Sequence, residues 1–288
     1  MIFFLKFLQF CFRIIFYAPA GIALSCMYAA AWLTQAIAKK TRLRETIIDN
    51  VKMVLPESNT ERIANRLIEN LSYSIFELLC LPFFKKEHFL RIFKFEGLEY
   101  LEQALKEEKG AILLTMHAGN YEVIPAALAN LGYKVNSVLR ATQEPIFEFL
   151  NYCRSHGGVK IVNVAEQDMY RETLNILSKN EIVGTLADTG ALESRHVFYK
   201  FLGRDVPVAT GWLTLAQRSA ALVVPILTRK EGRNNSIILY KPFKITKESR
   251  EAGMQKAAKV FEDFIQRNPE EWGIFLNSYE TRRMVEGK

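Results

Sequence analysis

Cysteine is scarce in this chain of 288 residues, and the four present (Cys11, Cys26, Cys80 and Cys153) include no C-x-x-C pair. No cysteine–histidine grouping has zinc-ligand spacing, so neither a metal site nor a disulfide framework is indicated, and a reducing compartment fits best. Internal repeats and low-complexity linkers are absent, which excludes a solenoid or a beaded chain. No recognised nucleic-acid motif appears and the basic residues are spread along the chain, which sets a nucleic-acid partner aside. Charge itself is missing from Ile14 to Ala38, a run of IIFYAPAGIALSCMYAAAWLTQAIA.

What is present is apolar and basic. The apolar share is 49%, ample for a large core, and 24% of residues are charged, a balance foreign to disordered chains. By length the chain makes one or two domains of ~100–200 residues each. A net charge of +7 suits anionic partners such as phosphate, an acidic carrier protein or a membrane surface.

The uncharged run is long enough to cross hydrocarbon, which takes ~20 mostly apolar residues. Arg13 bounds it on one side and Lys39-Lys40-Thr41-Arg42-Leu43-Arg44 on the other. It is too long for a cleaved signal peptide and ends in a basic cluster. That cluster outweighs Lys6 and Arg13, placing the larger C-terminal part on the cytoplasmic side. Residues 1–44 are therefore expected to be a membrane anchor, spanning or deeply embedded. An in-plane helix, widened by Phe3, Phe4, Phe7, Leu8 and Phe10, is the rival reading.

Residues 45–288 are expected to form one α/β domain. The stretch 45–95 reads as helical: Ile47, Ile48, Val51 and Val54 repeat at helical spacing, Pro56 stops that helix, and Ser58-Asn59-Thr60-Glu61 offers caps for the next. After Gly97, strand and helix signals alternate. The strands fall at 110–116, 135–139, 159–162, 182–187, 221–227 and 236–240, with helices between them and a last helix at 255–267. This alternation predicts a mixed, largely parallel central sheet flanked by helices.

Chemistry concentrates at Leu113-Leu-Thr-Met-His117-Ala-Gly-Asn-Tyr-Glu122. His117 follows an apolar strand, and ligands of open α/β sheets gather at the carboxyl ends of strands. Gly119 permits a tight turn into a helix whose free N–H groups are suited to a carbonyl or a phosphate. An imidazole is suited to take the proton from a hydroxyl attacking a thioester. A carboxylate on its far nitrogen fixes the tautomer, and Glu122, in the first helical turn, is placed to fold back and supply it.

These residues carry a resemblance. Gly110-Ala-Ile-Leu-Leu-Thr-Met-His117-Ala-Gly-Asn-Tyr-Glu122 resembles the G-x-I-L-x-x-x-H-x-G-N-W/Y-E block of the bacterial lipid A acyltransferases, late lauroyl and myristoyl transferases within the wider lysophospholipid acyltransferase group. Weaker matches follow in order over nearly the whole chain: Arg66 to Tyr73, Arg140, Val183 to Asp188, Phe201-Leu-Gly203, Ala209-Thr-Gly211, Val223-Val-Pro225-Ile and Pro269-Glu-Glu-Trp272.

The resemblance implies an acyl chain passed from an acyl carrier protein or coenzyme A thioester to a hydroxyl of an anionic glycolipid or phospholipid at the bacterial inner membrane, with no metal and no resident cofactor. It implies His117 and Glu122 as a catalytic dyad. Arg140 and Asp188 are implied to line the same cleft, with Asn120, Arg154 and Arg195 as further substrate-binding candidates. Two departures bear on the acceptor. Asp188 is followed by Thr189 where the family shows Gln or His, and Gly273-Ile-Phe-Leu-Asn277-Ser-Tyr279 stands where it shows W-x-H-R-R. The N-H-x-x-x-x-D and F-P-E-G motifs of the glycerolipid branch are missing. A catalytically silent lipid-binding homologue, a hydrolase, and an acyltransferase for another acceptor are the competing readings.

Overall fold

The computed structural model describes residues 2–139, 144–164, 166–188 and 196–286. Helices α1 (Ile2–Ile15), α2 (Ala20–Ala38), α3 (Arg42–Val54), α4 (Thr60–Cys80) and α5 (Lys86–Ile92) come first. Next are β1 (Phe93–Glu96), α6 (Leu98–Leu105), β2 (Ala111–Thr115), α7 (Ile124–Asn130), β3 (Val135–Leu139), α8 (Pro145–Ser155), β4 (Lys160–Asn163), α9 (Met169–Ser178) and β5 (Ile182–Leu186). The chain closes with β6 (His196–Phe201), β7 (Arg204–Ala209), α10 (Gly211–Ser219), β8 (Leu222–Glu231), β9 (Asn234–Leu239), α11 (Arg250–Arg267) and α12 (Ser278–Glu286).

Seven strands form one sheet in the order β1-β9-β8-β2-β5-β3-β4. Every pairing is parallel except β8 with β9. The expected mixed, largely parallel sheet is therefore observed. Alternation sends side chains to opposite faces, and each face has its own core. Ile112, Leu114, Val183 and Val223 join α3, α10 and α11 on one side. Leu113, Val224, Ile226 and Ile237 join α1, α2, α7 and α8 on the other.

Local chemistry sets the helix ends. Thr41 caps α3 by accepting the Leu43 N–H, and Asn59 caps α4 by accepting the Arg62 N–H. Three elements depart from the expectation. Phe93–Glu96 extends 45–95 beyond helix into an edge strand, β6 and β7 pair as a separate antiparallel hairpin, and α12 follows the last expected helix.

Among the described residues, α2 is the one helix long and apolar enough to cross a membrane. Its two faces differ. Ala23, Met27, Tyr28, Ala31 and Gln35 are buried, whereas Ile22, Trp32, Leu33 and Ile37 are exposed. In α1, Phe12 is buried while Phe3, Phe7, Phe10 and Ile14 make an exposed stripe at helical spacing.

Candidate active site

Parallel register brings the two principal side chains together. Thr115 of β2 lies opposite Leu186 of β5, so His117 and Asp188, each two residues further on, emerge side by side from the carboxyl ends of adjacent strands. Ala187 N–H donates to the Thr115 carbonyl at 2.8 Å and holds that register past the strand ends. Asp188 then accepts twice from one residue: Oδ2 takes the His117 backbone N–H at 2.9 Å, and Oδ1 lies 2.8 Å from Nδ1 of its ring.

An ionised carboxylate only accepts, so Nδ1 carries the proton and the lone pair is left on Nε2. Burial works against charging this ring. The attraction and hydrogen bond of Asp188, with added pull from Glu122 and Glu280, nonetheless raise its pKa above the ordinary histidine value. Tyr121 packs edge-on against the imidazole with ring centres 4.9 Å apart.

The turn after β2 is clamped by the C-terminal segment. Gly119 N–H donates to the Glu271 carbonyl and Gly273 N–H to the His117 carbonyl, both at 2.7 Å. Gly119 has φ +60°, and a Cβ there would lie 2.2 Å from the Thr228 carbonyl oxygen, so no side chain fits.

Glu122 needs correction. The expected fold-back onto His117 does not occur, because Arg154 takes both Glu122 oxygens, Nη2 to Oε1 at 2.6 Å and Nε to Oε2 at 2.7 Å. The brace on the imidazole is Asp188, and Glu122 reaches it through space by charge. Arg154 is correspondingly engaged by Glu122 and Asn151 rather than open to a phosphate. The expected helix at Tyr121 begins as a three-residue 3₁₀ turn, Tyr121–Val123, ahead of the short α7 with Pro125 in its first turn. Arg140 and Arg195 lie outside the described residues.

Asn120, expected to bind substrate, points into the protein. It is buried, and its Nδ2 donates to Glu77 Oε2 at 2.6 Å. Glu77, fully buried on α4, collects four donors: Tyr28 and Lys230 on Oε1, Asn120 and Asn235 on Oε2. Lys230, from β8, is buried with it. The cluster ties α2, α4, β8 and β9 to the turn carrying His117. Neither residue was singled out by sequence; the available signal was an acid inside the apolar stretch Ile75-Phe-Glu77-Leu-Leu.

His117 stands where two cavities meet. One, of about 310 Å³, lies between α4 and the C-terminal segment, where Asn70, Asp188, Glu271, Asn277 and Glu280 stand among Leu67, Leu71, Ile274 and Leu276. The other, of about 320 Å³, is mainly apolar and runs between the sheet and α7 and α8, past Leu113, Ile124, Val138, Phe147 and Leu186. Glu122 and Arg154 lie on its wall. No group of three or more potential metal ligands occurs among the described residues.

The profile of the bacterial lipid A biosynthesis acyltransferase family matches residues 2–281. The chain belongs to that family. A lipid A biosynthesis acyltransferase of Haemophilus influenzae is 24% identical over 251 residues, covering 85% of this chain and 78% of the relative. A crystal structure of the 1-acyl-sn-glycerophosphate acyltransferase of Thermotoga maritima aligns over 81% of this chain and 98% of its own, with a TM-score of 0.38 and 12% identity. Family membership makes the chain an acyltransferase of this group.

Proposed function

We propose that this acyltransferase moves a fatty acyl chain from a thioester, of acyl carrier protein or coenzyme A, onto a hydroxyl of a membrane lipid, lipid A or a related glycolipid. The observation that carries the reading is the His117 ring, oriented by Asp188 and opening on both cavities. The acyl chain occupies the cavity under α7 and α8, and the acceptor hydroxyl approaches from the one between α4 and the C-terminal segment. Nε2 takes the hydroxyl proton as the oxygen attacks the thioester carbonyl, and Asp188 stabilises the imidazolium that forms. The tetrahedral adduct collapses by expelling the thiolate, which takes the proton back from Nε2. Glu122 acts at one remove, holding Arg154 on the wall of the acyl cavity.

The exposed apolar faces of α1 and α2 support attachment to the cytoplasmic face of the bacterial inner membrane. Tyr28, midway along α2, is fixed to Glu77 and to the Arg233 carbonyl, each at 2.8 Å. A helix held at its midpoint to the catalytic domain is suited to lie along the bilayer surface with its outer face in the acyl boundary. Mass spectrometry of membrane lipids from cells with and without the protein tests the reading. A lipid differing by one acyl group supports it, and an unchanged lipid profile contradicts it.

A further inference from the structure

β5 carries a glycine that its backbone does not require. Among the described residues, Gly184 is the only glycine inside a strand. It stands mid-strand, paired with Leu113 of β2 on one side and Ser137 of β3 on the other. Its φ lies outside the left-handed region that favours glycine. A glycine so placed weakens the strand, and it marks a point where a ligand or another backbone comes close. No backbone crowds it: a Cβ built there meets only the Asn136 carbonyl oxygen, at 3.8 Å, an ordinary contact. Its own side of the strand is open space.

That space belongs to the cavity that ends at His117. Residues side by side in a sheet face the same way, so Leu113, Gly184 and Ser137 form one row, and all three line the cavity under α7 and α8. Thr115 and Leu186 form the row nearer His117. Val135, paired with Ile182, lies one row further in and lines the far part of the cavity with Val159. At about 3.3 Å per residue, the Gly184 row lies about 13 Å along β2 from His117, and the Val135 row about 20 Å. The floor is low where the two small residues, Gly184 and Ser137, adjoin. An alkyl chain running from His117 to Val135 must cross that floor.

Resting on the acyltransfer reading, we propose that Gly184 is a specificity-determining residue that sets the length of the acyl chain transferred. The missing side chain admits the terminal methylenes of a long, straight chain to the compartment walled by Val135 and Val159. A side chain at 184 would project into the cavity and end it at that row. Each methylene then denied burial lowers use of the chain about fourfold.

The test incubates the full chain with the membrane lipids of cells lacking it and an equimolar mixture of thioesters, octanoyl to hexadecanoyl in two-carbon steps. The mixture is made on acyl carrier protein and, separately, on coenzyme A. Mass spectrometry of the product lipid reads the competition as ratios of kcat/KM. Gly184→Leu should lower the wild type's preferred chain by at least about tenfold relative to the chain two carbons shorter, the worth of two methylenes. Transfer of that shorter chain should stay within about threefold of the wild type. Gly184→Ala, whose Cβ has room, should shift the same ratio about fourfold, so the proposal stays testable if the leucine variant fails to fold. Equal loss at every chain length, or unchanged ratios in either variant, overturns the proposal. If the wild type transfers none of the chains from either carrier, or His117→Ala transfers as well as the wild type, the acyltransfer reading itself has failed.

Discussion

Asp188→Asn replaces a carboxylate that accepts from two donors by an amide with one acceptor and one donor end. One of the two donors has no freedom: the His117 backbone N–H, 2.9 Å from Oδ2, must meet an oxygen. Turning the amide the other way would set its NH2 against that N–H and leave a buried donor unsatisfied, a cost of about 1–3 kcal/mol. The amide NH2 therefore falls opposite Nδ1, where Oδ1 now lies at 2.8 Å. Nδ1 must then accept, which puts the ring proton on Nε2, the atom that has to take the proton from the hydroxyl. A histidine locked in the wrong tautomer loses about ten-thousand-fold in kcat in a serine protease triad, on the order of 5 kcal/mol of barrier. His117 is partly exposed, so partial escape is possible and the expected loss is at least about a hundredfold. Asp188→Ala admits water at both sites and imposes no tautomer, so it should retain more activity than Asp188→Asn. The pH profile adds a second readout. The base must be neutral, so the acid limb of the wild-type kcat/KM lies above the ordinary histidine pKa, and removing the Asp188 charge moves it to lower pH. Acceptor-dependent transfer from a radiolabelled thioester gives the rates, and ring ¹⁵N shifts give the tautomer. An Asp188→Asn protein that folds and transfers within tenfold of the wild type refutes the reasoning.

Three further outcomes follow from the same contacts. Glu122→Ala and Arg154→Ala should each lower transfer, and the double variant should be no worse than the poorer single one, since the two side chains act as one bidentate unit; full additivity in a double-mutant cycle would contradict this. Glu77→Ala leaves the buried Lys230 without its countercharge, so it should cost about 3–5 kcal/mol of stability, measured by urea denaturation, and a loss below 1 kcal/mol would show that the pair is dispensable. Phe4→Ser with Phe7→Ser removes two exposed aromatic side chains, each worth about 1.5–3 kcal/mol when fully buried, so partitioning onto vesicles should fall at least tenfold while the melting temperature hardly changes. Unchanged vesicle binding would remove α1 from the membrane surface.

Local signals made much of the framework legible. The apolar run before His117, the Pro-led segment 145–155 and the helix at 211–219 each carry their own periodicity or breaker, and each forms as expected. β1 did not, because four residues reading Phe-Lys-Phe-Glu at a sheet edge hold no more pattern than a helix end. The partner of His117 illustrates a deeper limit. Glu122 is five residues away and looks available, whereas Asp188 is 71 residues away and arrives only through the parallel register of β2 on β5. Sequence spacing is blind to such pairing. The contacts of Asn120 were hidden for the same reason, since the acid it bonds sits on α4 and the lysine completing that cluster on β8.

The account rests on a neutral imidazole nitrogen taking a proton from a lipid hydroxyl. Single-turnover transfer by purified His117→Ala, with circular dichroism and melting matching the wild type, measures that step. A fall of at least about a hundredfold in the transfer rate is predicted for loss of a general base. Transfer within tenfold of the wild-type rate would contradict the account.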